Sequence, residues 1–374
     1  MINPSEFCKF LKKNNIDFYV GVPDSLMKGF CNYLHVNIKN NYISANEGTA
    51  LSFASGYYLK NKKIPCVYLQ NSGLGNLINP LLSLCDKKVY KIPALIIVGW
   101  RGEPGVIDEP QHKSQGEVTL KLIKSLKKKF LILSKDLKKN EKKLTHLINH
   151  SKQNLEPVFI IVKKKTFLEF KLLKKKKIKN TEIVREKAIQ LITNNVDKNS
   201  RFVSTTGMTS RELLSLRENG NNESYKDFYV VGSMGHTSQI ALGISINNTK
   251  QIICLDGDGA ALMHLGSLAM IGSLKKKINF LHILFNNFCH ESVGGQSTCS
   301  SRISFTKIAK ACGYDIVFSE IKTYKELTKI IKKLKRYKKK KIFLEIYVKN
   351  FHRQDIGRPT KKLTFYKKNF INNI

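Results

Sequence analysis

Continuous apolar runs, each closed by a glycine-rich or small polar turn, recur along the whole chain. In the first half they are Phe18–Val22, Tyr42–Ala45, Cys66–Gln70, Ala94–Gly99 and Val158–Val162. In the second half they are Arg201–Thr205, Phe228–Val231, Ile252–Leu255, Ile278–Phe285 and Ile342–Val348. The runs do not alternate with polar residues, which predicts strands buried on both faces. Helical segments such as Gly48–Lys60 separate them. Strand and helix in turn imply a mainly parallel sheet with helices on either side. The Lys-rich stretch Lys163–Asn180 breaks the rhythm. The expected fold is therefore α/β, with two doubly wound, mainly parallel-sheet domains at 1–165 and 183–374 and a linker at 166–182. Asn3, Pro4 and Glu6 form a start signal for an opening helix, and Thr181 is expected to cap a helix over Glu182–Thr193.

Charge is the one unusual property of the composition. Lys and Arg total 65 against 28 Asp and Glu, for a net charge of +37. Such a balance raises the prospect of nucleic-acid binding. Only nine of the basic residues are Arg, the residue that makes bidentate base and phosphate contacts. The Lys runs are scattered between apolar segments, as solvated faces and loops are. A nucleic-acid-binding protein on a degenerate enzyme fold stays a remote alternative. No stretch of 18 apolar residues is present, so no membrane span is expected. The polar N-terminus does not read as a signal peptide. The eight Cys include no C-x-x-C pair and read as reduced core residues of a cytoplasmic protein. His146 and His150, four apart without a third ligand nearby, read as surface histidines.

The turns that close the strands carry the chemistry, because open α/β sheets bind ligands beyond the carboxyl ends of their strands. No Gly-Lys-Ser/Thr occurs, and Gly257 and Gly259 lack the third glycine of a dinucleotide fingerprint, since Leu262 stands there. Gly257-Asp258-Gly259 follows one apolar strand, and Asn286-Asn287 follows the next. The carboxylate of Asp258 and the amide oxygen of Asn287 are hard oxygen ligands suited to Mg²⁺. The small residues Gly257, Gly259 and Ala260 let the backbone approach a diphosphate at a helix N-terminus.

This pair resembles the cofactor motif of thiamine diphosphate enzymes. Such enzymes need a carboxylate to hold the pyrimidine ring in its reactive tautomer, and Glu47, in Asn46-Glu47-Gly48 after a strand, fits. Nearly the whole chain resembles the phosphonopyruvate decarboxylase family, which lies close to sulfopyruvate decarboxylase. The likeness is carried by Gly21–Ser25, Asn46–Gly48, Gln70–Asn76, Gly99–His112, Thr205–Glu212, Gly232–Gly243, Asp256–Ala260, Asn286–Gln296 and Arg353–Thr360. It implies a pyrimidine-binding N-terminal domain, a diphosphate-binding C-terminal domain and no central domain. It also implies thiamine diphosphate and Mg²⁺ as cofactors, and a homodimer or higher oligomer with the site at the subunit interface.

Carried over residue by residue, the resemblance makes Asp258, Asn287 and the Cys289 carbonyl the metal ligands. Met234 supports the bent cofactor, the Gly232 carbonyl accepts from its 4′-amino group, and Thr206 bonds the diphosphate. Asp24, Ser25, His112 and His290 match positions near the reacting carbon, where His suits proton transfer. Arg101, Lys113, Arg353 and Arg358 are candidates for a second anionic group on the substrate. The family usually has Gly after the Asn pair, whereas Phe288-Cys289 follow here. The implied reaction is decarboxylation of 3-phosphonopyruvate to phosphonoacetaldehyde and CO₂ in phosphonate biosynthesis of the 2-aminoethylphosphonate type. Sulfopyruvate is the alternative substrate.

Overall fold

Side chains on opposite faces of each strand enter separate cores, which is why the apolar runs are continuous. In the computed structural model, Cys66 and Tyr68 pack into one cluster and Val67 and Leu69 into another. Leu95 and Ile97 likewise part from Ile96 and Val98. Burying each large aliphatic side chain contributes about 1.5–3 kcal/mol. The structure describes residues 1–171, 181–220, 223–357, 359 and 361–374. Residues 172–180 of the expected linker, and Arg358, lie outside the described residues.

The chain divides into two units. One comprises Met1–Lys174 with His290–Ser297, the other Lys175–Cys289 with Thr298–Ile374. The first holds β1 (Tyr19–Gly21), β2 (Asn41–Ile43), β3 (Cys66–Gln70), β4 (Leu95–Gly99), β5 (Phe130–Leu133) and β6 (Val158–Val162). Their order across the sheet is β2-β1-β3-β4-β6-β5, with every pairing parallel. The chain turns one way from β1 to β2 and the other way from β3 to β4. The β1/β3 boundary is thus a switch point, where a crevice opens beyond the strand ends.

The second unit repeats the plan with β7 (Arg201–Ser204), β8 (Phe228–Tyr229), β9 (Ile252–Gly257) and β10 (Phe280–Asn286). A short pair follows, β11 (Cys289–His290) with β12 (Gln296–Ser297), and then β13 (Ile316–Ile321) and β14 (Lys341–Tyr347). The six-stranded order is β13-β14-β10-β9-β7-β8, again parallel, with its switch point between β7 and β9. Ile253 and Leu255 face one core, Ile252 and Cys254 the other.

Two strands of the six-stranded sheets, β5 and β13, and the short pair β11 and β12 are not among the apolar runs read from the sequence. β5 and β13 are edge strands, paired on one side only, and β13 also carries a register shift between Phe318 and Ile321. Asn3 caps the first helix as expected, its Oδ1 accepting from Ser5 N–H at 2.9 Å. Thr181 does not cap the next one. The helix is Arg185–Asn195 with Val184 at its N-cap, and the Thr181 hydroxyl lies against the carbonyls of Tyr347 (2.7 Å) and Lys322 (3.1 Å). Its single proton goes to one of those carbonyls and its oxygen accepts from Ile183 N–H at 3.1 Å, one residue before the helix N-cap, so no helix N–H is capped by it. All eight Cys are unbridged, five of them buried. No helix of the described residues is long and apolar enough to cross a membrane.

Candidate active site

In the N-terminal unit, Glu47 opens the helix Glu47–Asn61, which Asn46 caps by accepting from Thr49 N–H at 2.9 Å. The Glu47 side chain is turned inward and only 4% of the residue is exposed. Asn76 Nδ2 donates to Glu47 Oε2 at 2.8 Å. Burial raises the Glu47 pKa above the ordinary value, and the Asn76 bond partly offsets this. Gly73 makes the space, since a Cβ there would stand 2.2 Å from Glu47 Oε1. Gly73→Ala should therefore fold but displace the carboxylate. A shift of about 1 Å in a catalytic group costs roughly 100-fold, so steady-state turnover should fall by about that factor while the melting temperature stays near the parent value.

Beyond β1 and β4 lies a second constellation in the same unit. Asp24 follows β1 and is fully buried; neither oxygen has a hydrogen bond of good geometry, although the backbone N–H groups of Leu26 and Met27 stand close enough to favour its charged form. Desolvation raises its pKa to about 6, with Arg101 pulling the other way. Gly99 at the end of β4 is required beside it, since a Cβ would come 1.9 Å from Asp24 Oδ2. Arg101 donates through Nη1 to Ser25 Oγ at 2.7 Å and through Nε to Asp108 Oδ2 at 2.8 Å, and its Nη2 pairs with Asp108 Oδ1. Asp108 also accepts from Gly102 N–H and Glu109 N–H, both at 2.8 Å. Desolvation opposes its ionisation, but these donors and Arg101 hold its carboxyl well below the usual range. His112 has a buried Nδ1 without a partner, and desolvation followed by Arg101 lowers its pKa. The structure thus brings Asp24, Ser25, Arg101 and His112 into one cluster, whereas Lys113 stands on an exposed helix face.

Asn71 joins that cluster to the strand ends. Its Nδ2 donates to the Arg101 carbonyl at 2.8 Å and its Oδ1 accepts from Arg101 N–H at 3.2 Å. His290 lies in the segment His290–Ser297 of the same unit, where Gln296 Nε2 donates to Asn32 Oδ1 at 2.7 Å. Desolvation takes the His290 imidazole down to about 4, so it is neutral at physiological pH.

In the C-terminal unit, Asp258 is the first residue of the helix Asp258–Met263 and is buried. Its Oδ2 accepts from Thr298 Oγ1 at 2.6 Å and Ser300 Oγ at 2.9 Å. Desolvation still raises its pKa to about 6 despite these donors. A buried carboxylate of this kind fits a cation. A Cβ on Gly257 would meet nothing within 4 Å, so the turn has open space beside it. The two Asn divide their work. Asn286 Nδ2 donates to buried Glu345 Oε1 at 2.9 Å, while Asn287 Oδ1 accepts from Cys289 N–H at 3.2 Å. Phe288, which follows the pair, is left-handed, with φ 58°. That is the conformation glycine adopts at no cost and other residues adopt at about 1–2 kcal/mol. The Phe288 ring packs edge-on against Tyr347, 5.1 Å between centroids, so this loop keeps a glycine-type turn without glycine.

Thr206 Oγ1 donates to the Val231 carbonyl at 2.7 Å, tying the turn after β7 to the Gly232 loop. In that loop Met234 is half-buried, and Gly235 (φ 89°) packs against His264, where a Cβ would come 2.7 Å from Cδ2. Arg353 is engaged by Glu186 at 2.8 Å and Asp355 at 2.9 Å.

Residues 6–123 match the N-terminal TPP binding domain of thiamine pyrophosphate enzymes, and residues 205–346 match the C-terminal TPP binding domain. A phosphonopyruvate decarboxylase of Streptomyces hygroscopicus is 31% identical over 332 residues, 85% of this chain and 80% of that protein. This chain belongs to the phosphonopyruvate decarboxylase family. It is a thiamine diphosphate-dependent decarboxylase. A sulfopyruvate decarboxylase of Methanosarcina acetivorans is 27% identical over 336 residues, 84% of this chain and 83% of that protein. The beta subunit of the Methanocaldococcus jannaschii sulfopyruvate decarboxylase is 37% identical over 133 residues, 35% of this chain and 68% of the subunit.

Within this family member, sequence reasoning did not single out Asn76, Gly73, Asp108, Thr298 or Ser300. Asp108 carries a readable signal, an acid seven residues after Arg101 in a glycine-containing turn. Thr298 and Ser300 carry none, since only the fold brings them to Asp258 from 40 and 42 residues away.

Proposed function

We propose that this decarboxylase acts on 3-phosphonopyruvate, releasing phosphonoacetaldehyde and CO₂ in a phosphonate pathway of the 2-aminoethylphosphonate type, with Mg²⁺ as its metal. The observation that carries the reading is the match along four fifths of a protein named phosphonopyruvate decarboxylase. When bound, thiamine diphosphate supplies the electron sink for loss of CO₂ from a 2-oxo acid. Glu47 holds the proton at the pyrimidine ring nitrogen, as its buried and raised carboxyl favours. Asp258 and Asn287 offer oxygens to Mg²⁺, with the Cys289 carbonyl as a third ligand. The Gly232 carbonyl would accept from the cofactor's 4′-amino group, Met234 would pack against the cofactor, and Thr206 would bond the diphosphate.

Arg101 spends three of its five N–H donors on Ser25 and Asp108, leaving two for the anionic end of the substrate. Neutral His112 and His290, with Asp24, move the proton that the product carbon needs. The active form is a homodimer or larger, to which the exposed Phe53 and Leu59 on the Glu47 helix give apolar surface. Eight unbridged Cys support a cytoplasmic location.

A panel of 2-oxo acids with purified protein, thiamine diphosphate and Mg²⁺ tests the substrate. Phosphonopyruvate should exceed both sulfopyruvate and pyruvate in kcat/KM. Equal turnover of pyruvate and phosphonopyruvate removes the phosphonate assignment, and a preference for sulfopyruvate installs the second reading, which the likeness to the Methanosarcina sulfopyruvate decarboxylase keeps in view. Asp258→Ala should weaken cofactor retention by about 10-fold or more, read as loss of Mg²⁺-dependent thiamine diphosphate binding in calorimetry.

A further inference from the structure

Beneath the Asp258 turn, the core of the C-terminal unit holds a polar chain. Asp256 and His282 are 2% and 0% exposed, and Tyr314 is 5% exposed. They stand among the apolar side chains of Cys254, Phe280, Leu284 and Phe343. Buried polar groups in such a place cost stability unless each finds a partner.

The partners run in one direction. The Asp256 carboxylate can only accept, so at the 3.4 Å contact His282 Nε2 carries the proton and donates to Asp256 Oδ2. His282 Nδ1 is then an acceptor, and it takes the Tyr314 O–H at 3.0 Å. Burial keeps the Tyr314 phenol protonated and so a donor. The other oxygen, Asp256 Oδ1, accepts from Gly257 N–H at 2.9 Å. Gly257 is the residue immediately before Asp258.

The chain therefore begins at Tyr314, crosses β10 at His282 and ends on the backbone amide next to Asp258. The parallel register sets it up: His282 is opposite Cys254 and Leu284 opposite Asp256, so all four face the same layer. The His282 ring packs edge-on to Phe343 at 5.1 Å, and Tyr314 packs on Phe343 at 5.5 Å, which fixes both ring planes.

We infer that Tyr314, His282 and Asp256 form a positioning relay that fixes the Gly257–Asp258 turn and thereby sets how tightly Asp258 holds its divalent cation. The inference rests on the reading of Asp258 as a cation ligand. Cys254 Sγ, Asp256 and His282 also lie within 4.8 Å of one another, the spacing of a metal triad. The hydrogen-bond chain already uses both His282 nitrogens, and burial pushes the Cys254 thiol far above its usual pKa, so it offers a thiol and not a thiolate.

Mn²⁺ binding in the presence of thiamine diphosphate, followed by the EPR signal of the free ion, tests the relay without turnover. Asp256→Asn should weaken Mn²⁺ binding by about 10-fold or more, in the range of outer-shell changes at metal sites. Tyr314→Phe removes one hydroxyl, keeps its ring contacts, and should weaken binding several-fold. The double variant should be no worse than Asp256→Asn alone, because both act through one chain. Cys254→Ala, in the same layer but outside the chain, should lower the melting temperature and leave Mn²⁺ affinity within about twofold. Tyr314→Phe carries the test even where Asp256→Asn fails to fold. Native-like Mn²⁺ affinity in Tyr314→Phe, or an equal loss in Cys254→Ala, overturns the relay. So does one tightly held transition-metal ion per chain that Cys254→Ala releases. Failure of the parent protein itself to bind Mn²⁺ overturns the reading of Asp258, and the relay with it.

Discussion

Glu47→Gln will bind thiamine diphosphate about as well as the parent and lose roughly 100- to 10,000-fold in kcat, the span of general acid–base contributions. Gln is nearly isosteric with Glu, so the pocket opened by Gly73 still fits it. Its amide oxygen can accept the Asn76 Nδ2 proton as Glu47 Oε2 does now. That leaves an NH₂ group where Glu47 has Oε1. An NH₂ donates and cannot take the proton of a ring N–H, so the pyrimidine is no longer held in its reactive tautomer. Calorimetry should show a thiamine diphosphate affinity within a few-fold of the parent. A variant with full turnover refutes the role given to Glu47, whereas one that has lost the cofactor would assign the residue to binding.

What could be read from the sequence, and what could not, follows from the range of the contacts. Cys66–Gln70 and Val158–Val162 are legible because two-sided burial writes itself as an unbroken apolar run. Phe130–Leu133 is an unbroken apolar run as well, with Leu131 and Leu133 in one core and Phe130 and Ile132 in the other, so two-sided burial is written there too, whereas Ile316–Ile321 is interrupted by Ser319 and Glu320. Glu47 is legible as a lone acid at a helix start, and Asp258 as the centre of Gly-Asp-Gly. Their partners are not. Asn76 lies 29 residues from Glu47, and Thr298 lies 40 from Asp258, distances that only the sheet crossovers close. The Thr181 cap failed for the same reason, as its hydroxyl is taken by carbonyls 141 and 166 residues away. Phe288 shows the limit of motif matching. Phe288 stands in the left-handed conformation that favours glycine, with its ring packed against Tyr347, and nothing in the motif announces either feature.

Asp24→Asn should move stability and activity in opposite directions. Asp24 is fully buried without a hydrogen bond of good geometry, and its pKa of about 6 lies above the ordinary 3.8, since desolvation outweighs Arg101 and the nearby Leu26 and Met27 N–H groups. A folded-state value above the unfolded one means that the native state binds the proton more tightly. Stability should therefore fall as pH rises from about 4 to about 6 and stay at the lower level above that. The ionised carboxylate costs on the order of 3 kcal/mol at pH 8. Asn carries no charge and escapes that cost, but its amide is also short of partners, which returns about 1 kcal/mol. The net expectation is a variant more stable than the parent by about 2 kcal/mol at pH 8, with the advantage gone near pH 4. Urea unfolding at the two pH values measures both numbers. Turnover should drop by roughly 100-fold or more if Asp24 takes part in proton transfer as proposed, because Asn cannot titrate beside Arg101 and His112. An Asp24→Asn variant that is less stable than the parent at pH 8, or equally active, would show that the buried charge is neither strained nor used. The predicted pairing, gain in stability with loss of rate, is the mark of a carboxylate kept in an unfavourable place for its chemistry.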